Sequence, residues 1–278
     1  MFYRKAVPYD TTAIKKLWEE VFGDLGDYIS RFIAHFGIEC GYVCEINREI
    51  VAMSFAITTE FSVNKMQKFS HSKNQRVKYI YACATHPNHR EQGIMQRLLE
   101  TIYEDACREE VVGLFLQAAS LSLSRYYQKL GFEDFFYRDH SFFYKQEKNK
   151  KASLPKFDSI DFILPETYHE KRVQKLANIC FIDWNKDFFR FLNENGTQFC
   201  EYENTIFTYK TMCNNIIVDE WLGDTPQEHI AQLLFKHLPD FEVVIIRSIG
   251  SDFCCGQIRW CHSFKNQQEK GWLGFAME

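Results

Sequence analysis

One stretch of the chain, residues 79–99, has residue types in an order that can do chemistry: Tyr-Ile-Tyr-Ala-Cys-Ala-Thr-His-Pro-Asn-His-Arg-Glu-Gln-Gly-Ile-Met-Gln-Arg-Leu-Leu. Residues 77–85 are dense in Val, Ile and Tyr and read as a strand. His86-Pro87-Asn88 makes a turn, His89-Arg90 a short basic loop, and Gly93 opens a helix. The first turn of a helix leaves main-chain N–H groups without acceptors and carries partial positive charge. A glycine at that point lets an anion approach the backbone, and Arg90 adds a formal charge at the entrance. The pattern describes a phosphate seat. The apolar positions that follow, Ile94, Met95, Leu98, Leu99, Ile102, Tyr103, Ala106 and Cys107, recur at helical spacing and bury one face of a helix over residues 93–108.

The stretch resembles motif A of the GNAT N-acetyltransferases, a strand followed by (Arg/Gln)-x-x-Gly-x-(Gly/Ala) and a helix. Here the motif reads Arg90-Glu91-Gln92-Gly93-Ile94-Met95, with Met95 in place of the second small residue. A second block, Ser120-Leu-Ser-Leu-Ser-Arg-Tyr-Tyr-Gln-Lys-Leu-Gly-Phe132, resembles the family's Asn-x-x…Tyr-x-Lys-x-Gly-Phe segment, with Ser120 where Asn is common. The resemblance covers residues 1–145. It implies acetyl-CoA as co-substrate. The pyrophosphate would sit on the main chain of Arg90, Glu91, Gln92, Gly93, Ile94, Met95 and Gln96. Cys83, Ala84 and Thr85 would pair with the pantetheine arm, and Ser120 would stand beside it. Tyr127 would be the general acid to the departing thiolate. An amine would then attack the thioester directly in a ternary complex, with a strand amide near residues 83–85 donating to the oxyanion.

Attack by an ammonium requires that it first lose a proton. The two positions where relatives keep a carboxylate hold Ile80 and Phe115, and neither can act as a base. His86 and a water relay are two candidates. A third comes from tandem relatives, the N-myristoyltransferases and the mycobacterial aminoglycoside-acetylating enzymes, in which the terminal carboxylate of the chain reaches the active site of the first copy. By that resemblance Glu278, at the end of Gly271-Trp-Leu-Gly-Phe-Ala-Met-Glu278, is the expected base. The alternative is that this end is simply an edge strand.

The elements that must position these groups follow from periodicity. Residues 2–6 read as a strand. Asp10 is expected to cap a helix carrying Ile14, Leu17, Trp18 and Val21, and a second helix covers 27–36. Residues 42–46 and 50–57 form a hairpin, and 61–76 a loop. A strand at 111–117, a helix at 121–130 ended by Gly131, and two closing strands at 132–138 and 141–145 complete the first half. A lysine-rich stretch closed by Pro155 marks a linker. The expected division is a GNAT domain at 1–146, a linker at 147–156 and a degenerate GNAT-like domain at 157–278. The fold class is α/β (α+β), a mixed central sheet flanked by helices with a second, smaller copy beside it. The second half repeats the order: strand 160–164, helices 169–177 and 184–192, strands 199–202, 206–209 and 216–220, helix 227–238 and strand 242–247. At the turn equivalent to motif A it reads Trp221-Leu-Gly-Asp-Thr-Pro-Gln227. Asp224 would oppose a pyrophosphate there and cap the helix, so the second copy is expected to form an acceptor wall and to bind no coenzyme.

Composition narrows the class. The 278 residues are 46% apolar and 25% charged, with a formal net charge of −4 and no basic stripe, which argues against nucleic acid. The ten cysteines form no metal-ligand spacing, so no metal is expected, and they read as free thiols in a reducing cytoplasm. The N-terminus lacks a signal sequence, and no run of apolar residues is long enough to span a membrane. The expected partner is therefore a small-molecule or peptide amine, with neither nucleic acid nor membrane involved and a homo-oligomer allowed. Two rival functions share these features: a coenzyme A-binding regulator without activity, and a tandem aminoacyl-transferase.

Overall fold

The computed structural model describes residues 1–62, 75–145, 159–261 and 270–277. The first half runs β1 (Phe2–Lys5), α1 (Thr11–Phe22), α2 (Gly26–Phe36), β2 (Gly41–Ile46), β3 (Glu49–Ser62), β4 (Gln75–Thr85), α3 (Ile94–Arg108), β5 (Gly113–Leu116), α4 (Leu121–Lys129) and β6 (Glu133–Tyr144). The second runs β7 (Asp161–Phe162), α5 (Pro165–Lys175), β8 (Phe181–Asp183), α6 (Lys186–Glu194), β9 (Gln198–Tyr202), β10 (Thr205–Met212), β11 (Asn215–Leu222), α7 (Gln227–His237), β12 (Val243–Ile249) and β13 (Phe253–Trp260).

Most strands join one sheet in the order β1-β2-β3-β4-β5-β13-β6-β12-β11-β10-β9-β7, with β8 pairing β3. The middle of that order is an exchange. In each half, one strand pair connected through a helix is parallel: β4 with β5 around α3, and β11 with β12 around α7. The strand that closes each half then pairs with the other half. β6 runs antiparallel to β12, from Arg138↔Ile249 to Tyr144↔Val243, and β13 lies antiparallel to β5, from Gln257↔Leu116 to Trp260↔Gly113. The expected linker, 147–156, lies outside the described residues, and the strands on its two sides interlock.

The helices form where the apolar stripes predict. On α1 the buried side chains are Ile14, Leu17 and Trp18, and Gly23 ends the helix at φ 73°. On α3 they are Ile94, Leu98, Leu99, Ile102 and Ala106. Burying a side chain the size of Leu98 or Ile102 contributes about 1.5–3 kcal/mol each. Several local readings are corrected. Asp10 does not cap α1; its carboxylate is taken by Arg4 at 2.6 and 3.0 Å and by the Val7 amide at 2.8 Å. Asp224 is exposed, and α7 has Pro226 at its N-cap position with no side-chain cap. The closing strands expected at 132–138 and 141–145 are one strand, β6, because Asp139 at the suspected break accepts hydrogen bonds from the amides of Ser251 and Asp252 instead of making a turn. The loop expected at 61–76 is strand at both ends; its residues 63–74 lie outside the described residues. β8 and β13 were not anticipated.

The run 271–277 passes between the halves. Gly271 bridges Phe136 of β6 and Trp272 bridges Phe181 of β8. Beyond those bridges the run is not a strand, contrary to the strand-like expectation, yet Leu273, Phe275 and Met277 are buried. Its anchor is a buried ion pair. Arg172 on α5 donates through Nε to both oxygens of Glu220 on β11 at 3.1 and 2.8 Å, and both side chains are 0% exposed. Tyr168 donates to Glu220 Oε2 at 2.9 Å and the Trp272 indole to Oε1 at 2.6 Å. Gly274, at φ 70°, passes so close that a Cβ would meet Glu220 Oε1 at 2.5 Å and Arg172 Nη2 at 2.8 Å. Removing one partner of such a pair strands a buried charge, at a cost of about 3–5 kcal/mol. Arg172→Met is therefore expected to lower stability by about that much in denaturant titration; a loss under about 1 kcal/mol, the range of a surface ion pair, would show that the pair does not fasten this junction.

Candidate active site

The site begins with a defect in β4. The β3–β4 register passes from Met53↔Ala84 to Phe55↔Tyr81, so Ser54 alone faces Ala82 and Cys83. Ala82 sits at φ 52°, in the left-handed region that costs a residue with a Cβ about 1–2 kcal/mol. The buried Ser54 supports the bulge, with Oγ 3.4 Å from the Tyr81 carbonyl and 3.3 Å from Cys83 Sγ. β4 pairs with β5 only over Val77–Tyr79, before the bulge; beyond it the two strands part.

A cleft of about 610 Å³ runs from this split to the N-terminus of α3. Of the residues singled out from the sequence, Cys83, Thr85, Arg90, Glu91, Gly93, Ile94, Met95, Gln96 and Tyr127 line it. Ala84 faces the core and is fully buried. Gln92 points to the Asn88 carbonyl at 3.5 Å. Ser120 caps α4, its hydroxyl accepting from the Leu123 amide at 3.2 Å, and is not among the lining residues. Val21, His89, Leu123 and Tyr126 also line the cleft and were not singled out. Leu123, Tyr126 and Tyr127 share one face of α4 at i, i+3, i+4 spacing, which was a legible signal; Val21 read as part of the α1 core stripe.

At the outer end the main chain is arranged to receive an anion. Glu91 at φ 63° and Gly93 at φ 73° turn the loop into the helix. The first bond within the helix runs from the Arg97 amide to the Gly93 carbonyl at 3.1 Å, so the amides of Ile94, Met95 and Gln96 have no acceptor within the helix. Arg90 is held near the strand end by its Nε bond to the Thr85 carbonyl at 3.2 Å. At the turn before α7 the Thr225 amide donates to Thr205 Oγ1 at 2.9 Å.

At the inner end Tyr127 is 7% exposed and its hydroxyl lies beside the Cys83 thiol. Burial, followed by Cys83, holds its phenol well above the ordinary value, so it is a proton donor throughout the neutral range. Ile80 and Phe115 are buried in the core, and Glu91 at the mouth is the sole carboxylate among the described lining residues. His86 is a turn residue: its Nδ1 accepts from the Asn88 amide at 3.2 Å and its Nε2 lies 3.3 Å from Glu20. Glu278, the expected base, lies outside the described residues. Among the described residues no cluster of His, Cys, Asp and Glu could hold a metal, and no helix is long and apolar enough to cross a membrane.

With this geometry in view, the first half can be compared with known families: residues 3–135 match the model of the acetyltransferase (GNAT) domain. The fold extends the likeness to nearly the whole chain. A GCN5-related N-acetyltransferase from Anabaena variabilis ATCC 29413 superposes with a TM-score of 0.72 at 15% identity, covering 97% of this chain and 75% of that one. One from Kribbella flavida gives 0.68 at 12% identity, over 93% of this chain and 69% of its own. Eis1 from Mycobacterium abscessus gives 0.63 at 10% identity, over 94% and 74%. No curated protein sequence matches significantly.

Gly93 offers a direct test of the anion seat. A Cβ there would meet nothing within 4 Å, and Asp is among the residues that tolerate φ near 73°. Gly93→Asp should therefore fold normally while placing a carboxylate at the expected pyrophosphate seat. Calorimetry should show acetyl-CoA affinity reduced by about tenfold or more, the equivalent of ~1.4 kcal/mol. Unchanged affinity would remove the loop from the binding site.

Proposed function

We propose that this protein moves an acetyl group from acetyl-CoA to a primary amine of a small molecule or peptide, by direct attack within a ternary complex. The observation that carries the reading is a buried, protonated Tyr127 at the inner end of a cleft whose outer end presents unpaired helix amides. In this reading the pyrophosphate takes the amides of Ile94–Gln96 and the pantetheine arm lies along Cys83–Thr85. The thioester carbonyl comes to the bulge, where a main-chain N–H stabilises the oxyanion as the amine nitrogen bonds to carbon. The C–S bond then breaks, and Tyr127 donates its hydroxyl proton to sulfur. The same burial that raises the phenol raises the proton affinity of the departing thiolate, so the transfer is not penalised.

The amine must also release a proton, and we assign that role to the carboxylate of Glu278. What supports it is the buried course of residues 271–277 between the two halves and the apolar Ile80 and Phe115 at the other candidate positions. The second half, in this reading, is a coenzyme-free copy of the fold that supplies the acceptor wall; the exposed Asp224 at the turn before α7, which would oppose a pyrophosphate there, supports that division. A coenzyme-binding regulator is the second reading, favoured by the lack of a carboxylate deep in the described cleft.

Release of free coenzyme A in the presence of a panel of primary amines separates the two. Amine-dependent release is expected, and Tyr127→Phe should lower kcat by about 10²–10⁴-fold, the usual worth of general acid catalysis, with acetyl-CoA affinity retained. Glu278→Gln should lower turnover as well. No release with any amine would favour the regulator, and a Tyr127→Phe enzyme with unchanged kcat would show that the thiolate leaves unaided.

A further inference from the structure

One face of α3 is fastened to the strand that the second half inserts into the sheet. Glu100, Tyr103 and Cys107 follow at helical spacing, and each meets the end of β13. Arg259 pairs with Glu100 through two bonds of 2.8 and 3.1 Å, and its guanidinium carbon lies 3.6 Å from the centre of the Tyr103 ring. The Tyr103 hydroxyl donates to the Trp260 carbonyl at 3.2 Å. The Cys107 thiol donates to the Cys261 carbonyl at 3.4 Å, and the Cys261 amide is itself fixed by the Val112 carbonyl at 2.9 Å. The Cys261 thiol is also within hydrogen-bonding reach of Cys107, so the two thiols are neighbours in a seam that links α3 to the end of β13.

We propose that Cys107 and Cys261 form a disulfide under mild oxidation, a modification site that locks β13 to α3. Their placement sets the order of events. Cys107 is half-buried and reachable, whereas Cys261 is 8% exposed and burial, then Cys107, pushes its thiol up to about 12. Cys107 therefore attacks a small-molecule disulfide first, giving a mixed disulfide and one released thiol. Cys261 then attacks the Cys107 sulfur and expels the second thiol. One small disulfide is reduced to two thiols, two protein thiols become one disulfide, and their two protons leave with the products. The bond closes a loop of more than half the chain, and a long loop is where a crosslink most restricts the unfolded state.

The test uses the whole protein with oxidised glutathione, alkylation of the remaining thiols and tryptic mapping. Residues 98–108 should appear joined to residues 260–265, two hydrogens lighter than the sum of the reduced peptides and at least ten times more abundant than any other joined pair. The thermal midpoint should rise by several degrees on oxidation, fall back with dithiothreitol, and not rise in Cys107→Ser or Cys261→Ser. A dominant joined pair of other cysteines, a glutathione adduct at Cys107 that never resolves, or a midpoint that rises equally in the serine variants would each overturn the proposal.

Discussion

The site depends on the separation of two parallel strands. β4 and β5 pair over Val77–Tyr79 and then part at the bulge where Ala82 takes a left-handed conformation. Without that strain β4 would continue along its neighbour, its amides would be consumed by the ladder, and no slot would exist between the strands. The conformation persists because its surroundings over-determine it: Ser54 supports the bulge from β3, and β13 holds β5 from the other side over Gly113–Leu116. A strand supplied by the second half therefore stabilises one wall of a cleft built by the first.

That dependence explains why the halves do not part at the linker. Strand exchange leaves each half's part of the sheet incomplete without the other, and the run 271–277 is bound to both halves, its Gly271 and Trp272 bridging β6 and β8. The buried Arg172–Glu220 pair is not by itself evidence of net stability, since desolvation offsets much of its attraction. Its role is geometric. It offers Glu220 as an acceptor to the Trp272 indole and leaves room above it that only Gly274 can pass.

The segment proposed to hold the coenzyme was legible as local structure in the sequence. Strand, turn, glycine and helix follow within a score of residues, and each has its own signature. Tyr127 was legible through its block for the same reason. Other features were not, because they are settled by distant partners. β13 has no stronger strand signal than many loops, and its place between β5 and β6 depends on a register that no window contains. Asp139 looked like a break in β6 until its partners, the amides of Ser251 and Asp252, were seen to come from the β12–β13 turn. Asp10 has the residue type of a helix cap, but Arg4 offers its carboxylate a stronger, charged partner. Ser120 does cap a helix, and that leaves its hydroxyl occupied at the position expected to face the coenzyme.

The central claim is that the open amides at the start of α3 hold the coenzyme, and amide hydrogen exchange with and without acetyl-CoA tests it most directly. The main-chain N–H groups of Ile94, Met95 and Gln96 lack acceptors within the helix, so they should exchange quickly in the free protein and slow markedly on binding. The Thr225 amide, already bonded to Thr205, should not change. If saturating acetyl-CoA leaves the exchange of residues 94–96 untouched, or protects the second half's turn instead, the coenzyme is held elsewhere and the site described here is not the active site.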